Sequence, residues 1–197
     1  MTAYNEIRYN NPYANAGSLI LLSTQTASAS ASISFTSGID STYKEYMFIF
    51  NNIHPANSGV NGKLTFNLST YGGSSYNVTK TTTFFEAGHS ELDAYSVLAY
   101  EAGNDLAQST SYQDLARNTT NANDDSLSGY LHLFNPSSNV YVKHFTAITN
   151  TVYDSNVATV TYIAGYGNTT SAVNAIDFKC SSGNIDDGTI QMFGVVS

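Results

Sequence analysis

Residues 177–194 read DFKCSSGNIDDGTIQMFG and place two alternating runs on either side of a loop. Apolar and polar side chains alternate in each run, as they do in β-strands that bury one face. The loop 181–188 supplies two glycines and several Ser, Asn and Asp residues, which favour tight turns. In the first run Ile176, Phe178 and Cys180 share the face that is predicted to be buried. The second run carries Ile190 and Met192 on one face and Phe193 and Val195 on the other. The pattern predicts a closing β-hairpin at the end of an all-β fold.

The same alternation recurs along most of the chain. Residues 43–53 are the most hydrophobic segment and predict a central strand, whereas residues 63–69 alternate with Leu64, Phe66 and Leu68 inward. Turns recur roughly every 8–12 residues, which is typical of sandwiches and jelly rolls. We predict a single antiparallel, jelly-roll-like β-sandwich domain over residues 18–197.

Two segments carry further expectations about this sandwich. Residues 18–23, SLILLS, are apolar on both faces, which predicts a strand that is covered on both sides. Residues 86–118 depart from alternation and are enriched in Ala, Leu and Glu. Their helix propensity predicts a short helical excursion around residues 93–101, between two strands of the sandwich.

Charge is sparse and acidic, with seven Lys and Arg against fifteen Asp and Glu and a net charge of −8. The basic residues are scattered singly, whereas nucleic acids and anionic membranes require clustered cations. We therefore expect neither a nucleic-acid partner nor a membrane partner. The first 17 residues have no basic start and no apolar centre, so we expect no secretory signal there.

Catalytic patterns are weak. The segment 88–92, GHSEL, comes nearest to a nucleophile elbow but lacks the second glycine. Cys180 is the single cysteine and is in register with buried positions, so we predict an apolar packing role. His132 and His144 lie on neighbouring predicted strands, but a zinc site needs a third ligand. No carboxylates have the spacing of a glycosidase pair, and we expect neither enzymatic activity nor a cofactor.

Two loops are candidates for a structural Ca²⁺ ion, residues 121–125 and residues 186–188. The first matches the alternating oxygen ligands at the beginning of a calcium loop. However, Ser126 replaces the required glycine and His132 replaces the final glutamate. The second loop, Asp-Asp-Gly, is also an ordinary turn sequence. The sequence leaves a structural ion open at either loop.

Aromatic residues supply two sets of candidate contacts. Residues 1–17 form a polar segment with four large side chains, and it is either a frayed terminus or an extended arm that docks on a neighbouring subunit. The arm candidates are Tyr4, Ile7, Tyr9 and Tyr13. Tyrosines beside Asn and Asp suit stacking on sugars, and the candidates are Tyr71, Tyr76, Tyr112, Tyr153 and Tyr166. Packing within the sheets or between subunits is the alternative role for these tyrosines.

Several longer segments resemble virion structural proteins of phages that infect marine bacteria. The resemblance extends over residues 30–195, and it is carried by FTSGIDSTY (35–43), EY (45–46), NIHPA (52–56), LHLFNPSS (131–138), KHF (143–145) and SGNIDDGTI (182–190). It implies a tail-fibre or spike module, or a capsid decoration protein, located in the virion after assembly in the host cytoplasm. The chain has no collagen-like repeat, heptads or β-helix period, which favours a compact knob or cap over a shaft.

Two hypotheses follow. The first is a non-enzymatic structural component on the surface of a phage particle, assembled with itself as a symmetric oligomer such as a trimer and with other virion proteins. The second is a glycan-binding tip that recognises the host surface.

Overall fold

The structure is a computed structural model that describes residues 18–153 and 156–196. These residues form twelve strands and contain no helix, and hence none that could cross a membrane. The strands are β1 (Leu19–Thr26), β2 (Ile33–Phe35), β3 (Glu45–Pro55), β4 (Leu64–Ser69), β5 (Lys80–Ser90), β6 (Ser96–Tyr100), β7 (Gln113–Asp114), β8 (Leu127–Phe134), β9 (Lys143–Tyr153), β10 (Val157–Gly167), β11 (Ala175–Cys180) and β12 (Ile185–Val195).

All strand pairs are antiparallel, and they form two sheets. The larger sheet has the order β1-β12-β3-β8-β9-β10-β5-β6, and the smaller has the order β2-β11-β4-β7. The predicted all-β antiparallel sandwich is therefore confirmed. The jelly-roll arrangement is not confirmed, because jelly rolls have eight strands and this sandwich has twelve, divided eight to four.

The core lies between the two sheets, and its centre is aromatic. Tyr46, Phe48 and Phe50 of β3 point inward from the larger sheet and are at most 1% exposed. The ring of Phe178, on β11 of the smaller sheet, lies 5.5 Å from Phe48 and 5.3 Å from Phe50, measured between centroids. The predicted inward positions Leu64, Phe66 and Leu68 of β4 and Ile176, Phe178 and Cys180 of β11 are buried and therefore confirmed. On β12, the inward face is the one that carries Ile190 and Met192.

The closing hairpin is a wrong prediction. β11 pairs with β2 and β4, whereas β12 pairs with β1 and β3 in the other sheet. The chain crosses from the smaller sheet to the larger one after Cys180, and β12 begins at the fully buried Ile185, inside the predicted turn. Alternation specifies which side chains are inward, and this pattern is the same for a hairpin and for a crossing between sheets.

The helical excursion is also wrong. β5 continues through Ser90, and β6 returns along it with the register His89↔Ser96 to Phe85↔Tyr100. Residues 80–100 are therefore a hairpin, and residues 101–126 are irregular apart from β7. Helix propensity is a weak preference, and pairing with the edge of a formed sheet outweighs it.

Two strands are covered differently from the expectation. Among the described residues, β1 is an edge strand of the larger sheet. Its side chains Leu19, Ile20 and Leu21 are exposed, whereas the sequence predicted a strand covered on both sides. β4, in contrast, is buried along its whole length. The amide of Asn67, on the face of β4 that points away from the core, donates to the backbone carbonyls of Tyr76 and Thr110. The segments around these two residues therefore cover the outer face of β4.

Gly188 provides a test of the register shift within β12, between Asp187 and Thr189. Its φ is +112°, and a β-carbon there would lie 2.5 Å from the backbone oxygen of Asn52. We expect Gly188→Val to lower the free energy of unfolding by at least about 2 kcal/mol, because both the φ and the contact are unfavourable. Chemical denaturation measures this change. Gly103→Val is the matched control, since a β-carbon at Gly103 contacts nothing within 4 Å. Equal stability of both variants would contradict the positive φ and the close backbone contact at Gly188.

Candidate binding surfaces

The outer face of the larger sheet carries an uncharged row of side chains that crosses all eight strands. The backbone registers place these residues side by side in the order Thr24, Gln191, Ile49, Tyr130, Ile148, Tyr162, Phe85 and Tyr100. Each position points away from the core because its sequence neighbours point inward. The four aromatic members are between 37% and 55% exposed.

A second row lies beside the first and is also free of Asp, Glu, Lys and Arg. Its members are Leu21, Phe193, Met47, His132, Thr146, Ala164 and Thr83. We call these two rows together the aromatic face. A chain with a net charge of −8 thus presents, across the middle of its larger sheet, a band without formal charge apart from one histidine.

The aromatic face is grooved. Phe85 and Tyr162 stack with centroids 5.1 Å apart and planes 12° from parallel. Thr146 and Ala164 are short, and each borders two shallow cavities of about 340 and 350 Å³. Tyr166 stands on the far side of the first cavity. Short side chains between aromatic ones leave depressions into which a partner's side chains can project.

A second candidate surface is a cavity of about 460 Å³ at one end of the larger sheet. We call it the Arg117 pocket, and its lining includes Ser90, Leu92, Tyr95, Arg117, Asn118 and Tyr153. Tyr153 ends β9, and Arg117 lies on the irregular segment between β7 and β8. Burial and the neighbouring Tyr95 raise the pKa of the Tyr153 hydroxyl, so it remains a neutral donor and acceptor.

Arg117 is fixed in this pocket by two carboxylates. Its Nη1 donates to Oε1 of Glu86 at 2.7 Å, and its Nε lies 3.4 Å from Oε2 of Glu101. Glu86 is 1% exposed, and its hydrogen bond raises the pKa of Arg117. The guanidinium is therefore a rigid, charge-compensated donor.

The five candidate tyrosines are not brought together. Tyr166 lines the groove of the aromatic face, and Tyr153 lines the Arg117 pocket. Tyr71 is exposed on the turn after β4. Tyr76 is half-buried, and its hydroxyl has no hydrogen-bond partner among the described residues. Glycan contact at these positions stays a prediction.

Tyr112 has clear structural contacts. Its hydroxyl donates to Oδ2 of the buried Asp177 at 2.9 Å, and the ammonium of Lys179 lies 4.1 Å from its ring centroid. Burial and the bond to Asp177 raise the pKa of this hydroxyl. The side chain therefore links the segment before β7 to β11. The arm residues Tyr4, Ile7, Tyr9 and Tyr13 lie outside the described residues.

The two candidate Ca²⁺ loops lie side by side. Asn123, Asp124 and Asp125 line a polar cavity of about 430 Å³ together with Asp187 and His54. Among residues 18–153 and 156–196, however, no three His, Cys, Asp or Glu side chains are close enough to hold a metal ion. Cys180 is buried, and burial raises the pKa of its thiol to about 12, as expected for a packing residue.

Sequence reasoning found Tyr153 and Tyr166 but missed most of the other residues of both surfaces. Phe85, Tyr130 and Tyr162 occupy outward positions of strands, and alternation alone could have found them. Tyr95 and Arg117 lie on or beside irregular segments, where no periodicity indicates a neighbour. Comparisons with protein-family models, curated proteins and solved structures found no match to this chain.

Proposed function

We propose that this protein is a non-enzymatic structural component on the surface of a bacteriophage particle, as a tail-fibre or spike module or a capsid decoration protein. It assembles into a symmetric homo-oligomer, such as a trimer, and contacts other virion proteins. The observation that carries this proposal is the aromatic face. The resemblance of residues 30–195 to virion proteins supplies the biological setting.

The chemistry of the aromatic face suits contact between copies of one chain. Copies that each carry a net charge of −8 repel one another, but surfaces without formal charge can meet without juxtaposing like charges. Tyr, Phe and Met, all of which the face carries, are enriched at protein interfaces. Leu19 and Leu21, exposed on the outer side of β1, extend the face to the sheet edge.

The whole outer face of the larger sheet, of which the aromatic face is the middle, is also large enough for an interface. Eight strands about 4.8 Å apart, with about seven residues each at 3.3 Å, give roughly 34 by 23 Å, or about 780 Å². Standard protein interfaces bury about 800 Å² on each partner. The outer face of the larger sheet can therefore hold one complete subunit interface.

We expect Tyr162→Arg to dissociate the oligomer, because it places an unpaired charge in the middle of the contact. Light scattering of the purified protein should show an oligomer for the wild-type chain and a lower mass for the variant. Measured over a range of concentrations, the dissociation constant of the oligomer should rise by at least about tenfold. Tyr71→Arg, at an exposed turn outside the face, is the control and should leave the mass unchanged. A strictly monomeric wild-type protein would contradict the interface.

Location on the particle has its own test. Antibody against the protein, visualised by electron microscopy, should label intact virions at the capsid surface, the tail or the fibre ends. Unlabelled virions would contradict the particle role even if the protein is an oligomer in solution.

The alternative proposal is a glycan-binding tip for host attachment. The Arg117 pocket supports it, because two tyrosines, an amide and a guanidinium line one cavity. Aromatic rings stack on the apolar faces of sugars, and planar polar groups bind their hydroxyls. An array of host surface glycans tests this role, and a blank array for an oligomeric, folded protein would count against it.

A further inference from the structure

The Arg117 pocket has the properties of a preformed ligand site. Its volume of about 460 Å³ lies within the range of small-molecule sites, about 300–1,000 Å³. Arg117 is held by Glu86 and Glu101, so binding does not have to order its long side chain. A site whose polar groups are fixed before binding loses less entropy when the ligand arrives.

The lining presents both donors and acceptors. Arg117 donates only, the Asn118 amide does both, and the hydroxyls of Tyr95 and Tyr153 do both. Asn118 lines the cavity, so its amide can contact a ligand there. Hydroxyl groups also donate and accept, which makes a polyol a better complement than an acceptor-only anion.

The apolar part of the lining favours a ring with an apolar face. Tyr95 is 42% exposed, and Leu92, at the same cavity, is 88% exposed. A pyranose ring has C–H groups on its faces and hydroxyls around its edge. It can therefore lie against a tyrosine ring while its edge reaches the guanidinium and the amide.

Charge then selects among saccharides. One guanidinium and two carboxylates sum to a net charge of −1 at the back of the pocket. A carboxylated or phosphorylated ligand gains no net attraction from an arginine that is already compensated twice. A neutral sugar carries no such penalty.

We infer that the Arg117 pocket binds a neutral pyranose unit of a saccharide chain, with Tyr95 and Tyr153 as the stacking residues. This inference rests on the alternative function, glycan recognition, and adds its site and its ligand class. It also assigns Glu101 the role of excluding acidic sugars.

Titration calorimetry with neutral trisaccharides (mannotriose, cellotriose and galactotriose) and with trigalacturonic acid tests the inference. We expect the wild-type protein to bind at least one neutral probe and to discriminate against trigalacturonic acid. Tyr95→Ala should weaken neutral binding by roughly tenfold, as loss of a stacking ring does. Tyr153→Ala should weaken neutral binding to the same extent. If Tyr153→Ala does not fold, Tyr95→Ala still tests the site, because Tyr95 is partly exposed and its truncation should not unfold the protein.

Tyr71→Ala is the matched control, because Tyr71 is an exposed tyrosine away from the pocket. Glu101→Gln keeps the shape and removes one negative charge, so the affinity for trigalacturonic acid relative to the neutral probe should rise roughly threefold to tenfold. Binding that Tyr95→Ala, Tyr153→Ala and Tyr71→Ala leave equally intact would overturn the site but not glycan recognition. No saccharide binding by the wild-type protein, here and on the glycan array, would overturn both.

Discussion

Replacing Phe178 with alanine should lower the free energy of unfolding by about 3–5 kcal/mol, the usual range for truncating a fully buried phenylalanine. Phe178 is 0% exposed and is the centre of an aromatic cluster that joins the two sheets. Its ring lies within 6.4 Å, between centroids, of four other rings, those of Phe35, Phe48, Phe50 and Phe66. Alanine leaves a cavity that these rings cannot fill, because each is also fixed by its own strand.

Urea denaturation followed by circular dichroism measures this effect. Tyr71→Ala is the control, since Tyr71 is 68% exposed on the turn after β4 and lies outside the aromatic face. It should cost far less, because truncating an exposed ring removes few contacts and leaves no enclosed cavity. Phe48→Ala should fall in the same range as Phe178→Ala. A loss below about 1 kcal/mol for both core variants would show that the cluster does not form the core.

The sequence predicted side-chain faces better than strand partners. The alternation around Phe178 identified its inward position, because burial of one face is a local property of a strand. Assignment of the two strands to different sheets was missed, since no local pattern distinguishes a hairpin from a crossing. The long β3 was recognisable for the opposite reason, as its hydrophobicity is high enough to require a central position.

The wrong predictions of a helix around residues 93–101 and of a covered strand at residues 18–23 have one physical cause, which is tertiary context. Residues 96–100 have good helix formers nearby, but pairing with β5 satisfies their backbone groups. SLILLS has the composition of a covered strand, yet β1 lies at the edge of the larger sheet. Under the proposed function, a neighbouring subunit covers this edge in the assembled particle.

Of the two candidate surfaces, the aromatic face is related to a local sequence pattern and the Arg117 pocket is not. The aromatic face follows from alternation once the strand order is known, because Tyr130 and Tyr162 then lie in one row. The Arg117 pocket depends on contacts between Arg117, Glu86 and Glu101, which are 15 to 31 residues apart and share no motif. Tyr153 was predicted from composition, but its neighbours in space could not be.

Lys80 is a residue whose importance the sequence did not indicate. Its side chain is completely buried, and its Nζ donates to Oδ1 of Asn67 at 2.5 Å and to the carbonyl of Val78 at 2.9 Å. These partners are neutral, so nothing offsets the cost of removing an ammonium from water. Burial accordingly lowers the pKa of Lys80 to about 7. The amine joins β5 of the larger sheet to β4 of the smaller one.

The stability of the protein should therefore rise with pH above neutrality. In the unfolded chain Lys80 stays protonated up to its ordinary pKa of about 10.5, whereas in the folded chain it loses its proton near pH 7. Between these values the unfolded state binds more protons, so raising the pH favours folding, by roughly 3 kcal/mol between about pH 7 and about pH 9.5.

Lys80→Met keeps the length of the side chain and removes the titrating group. Urea denaturation at several pH values should show that the free energy of unfolding rises steeply with pH for the wild-type protein and much less for the variant. A small rise remains in the variant because burial also lowers the pKa of Lys143. Equal slopes for the two proteins would show that Lys80 remains charged in the fold.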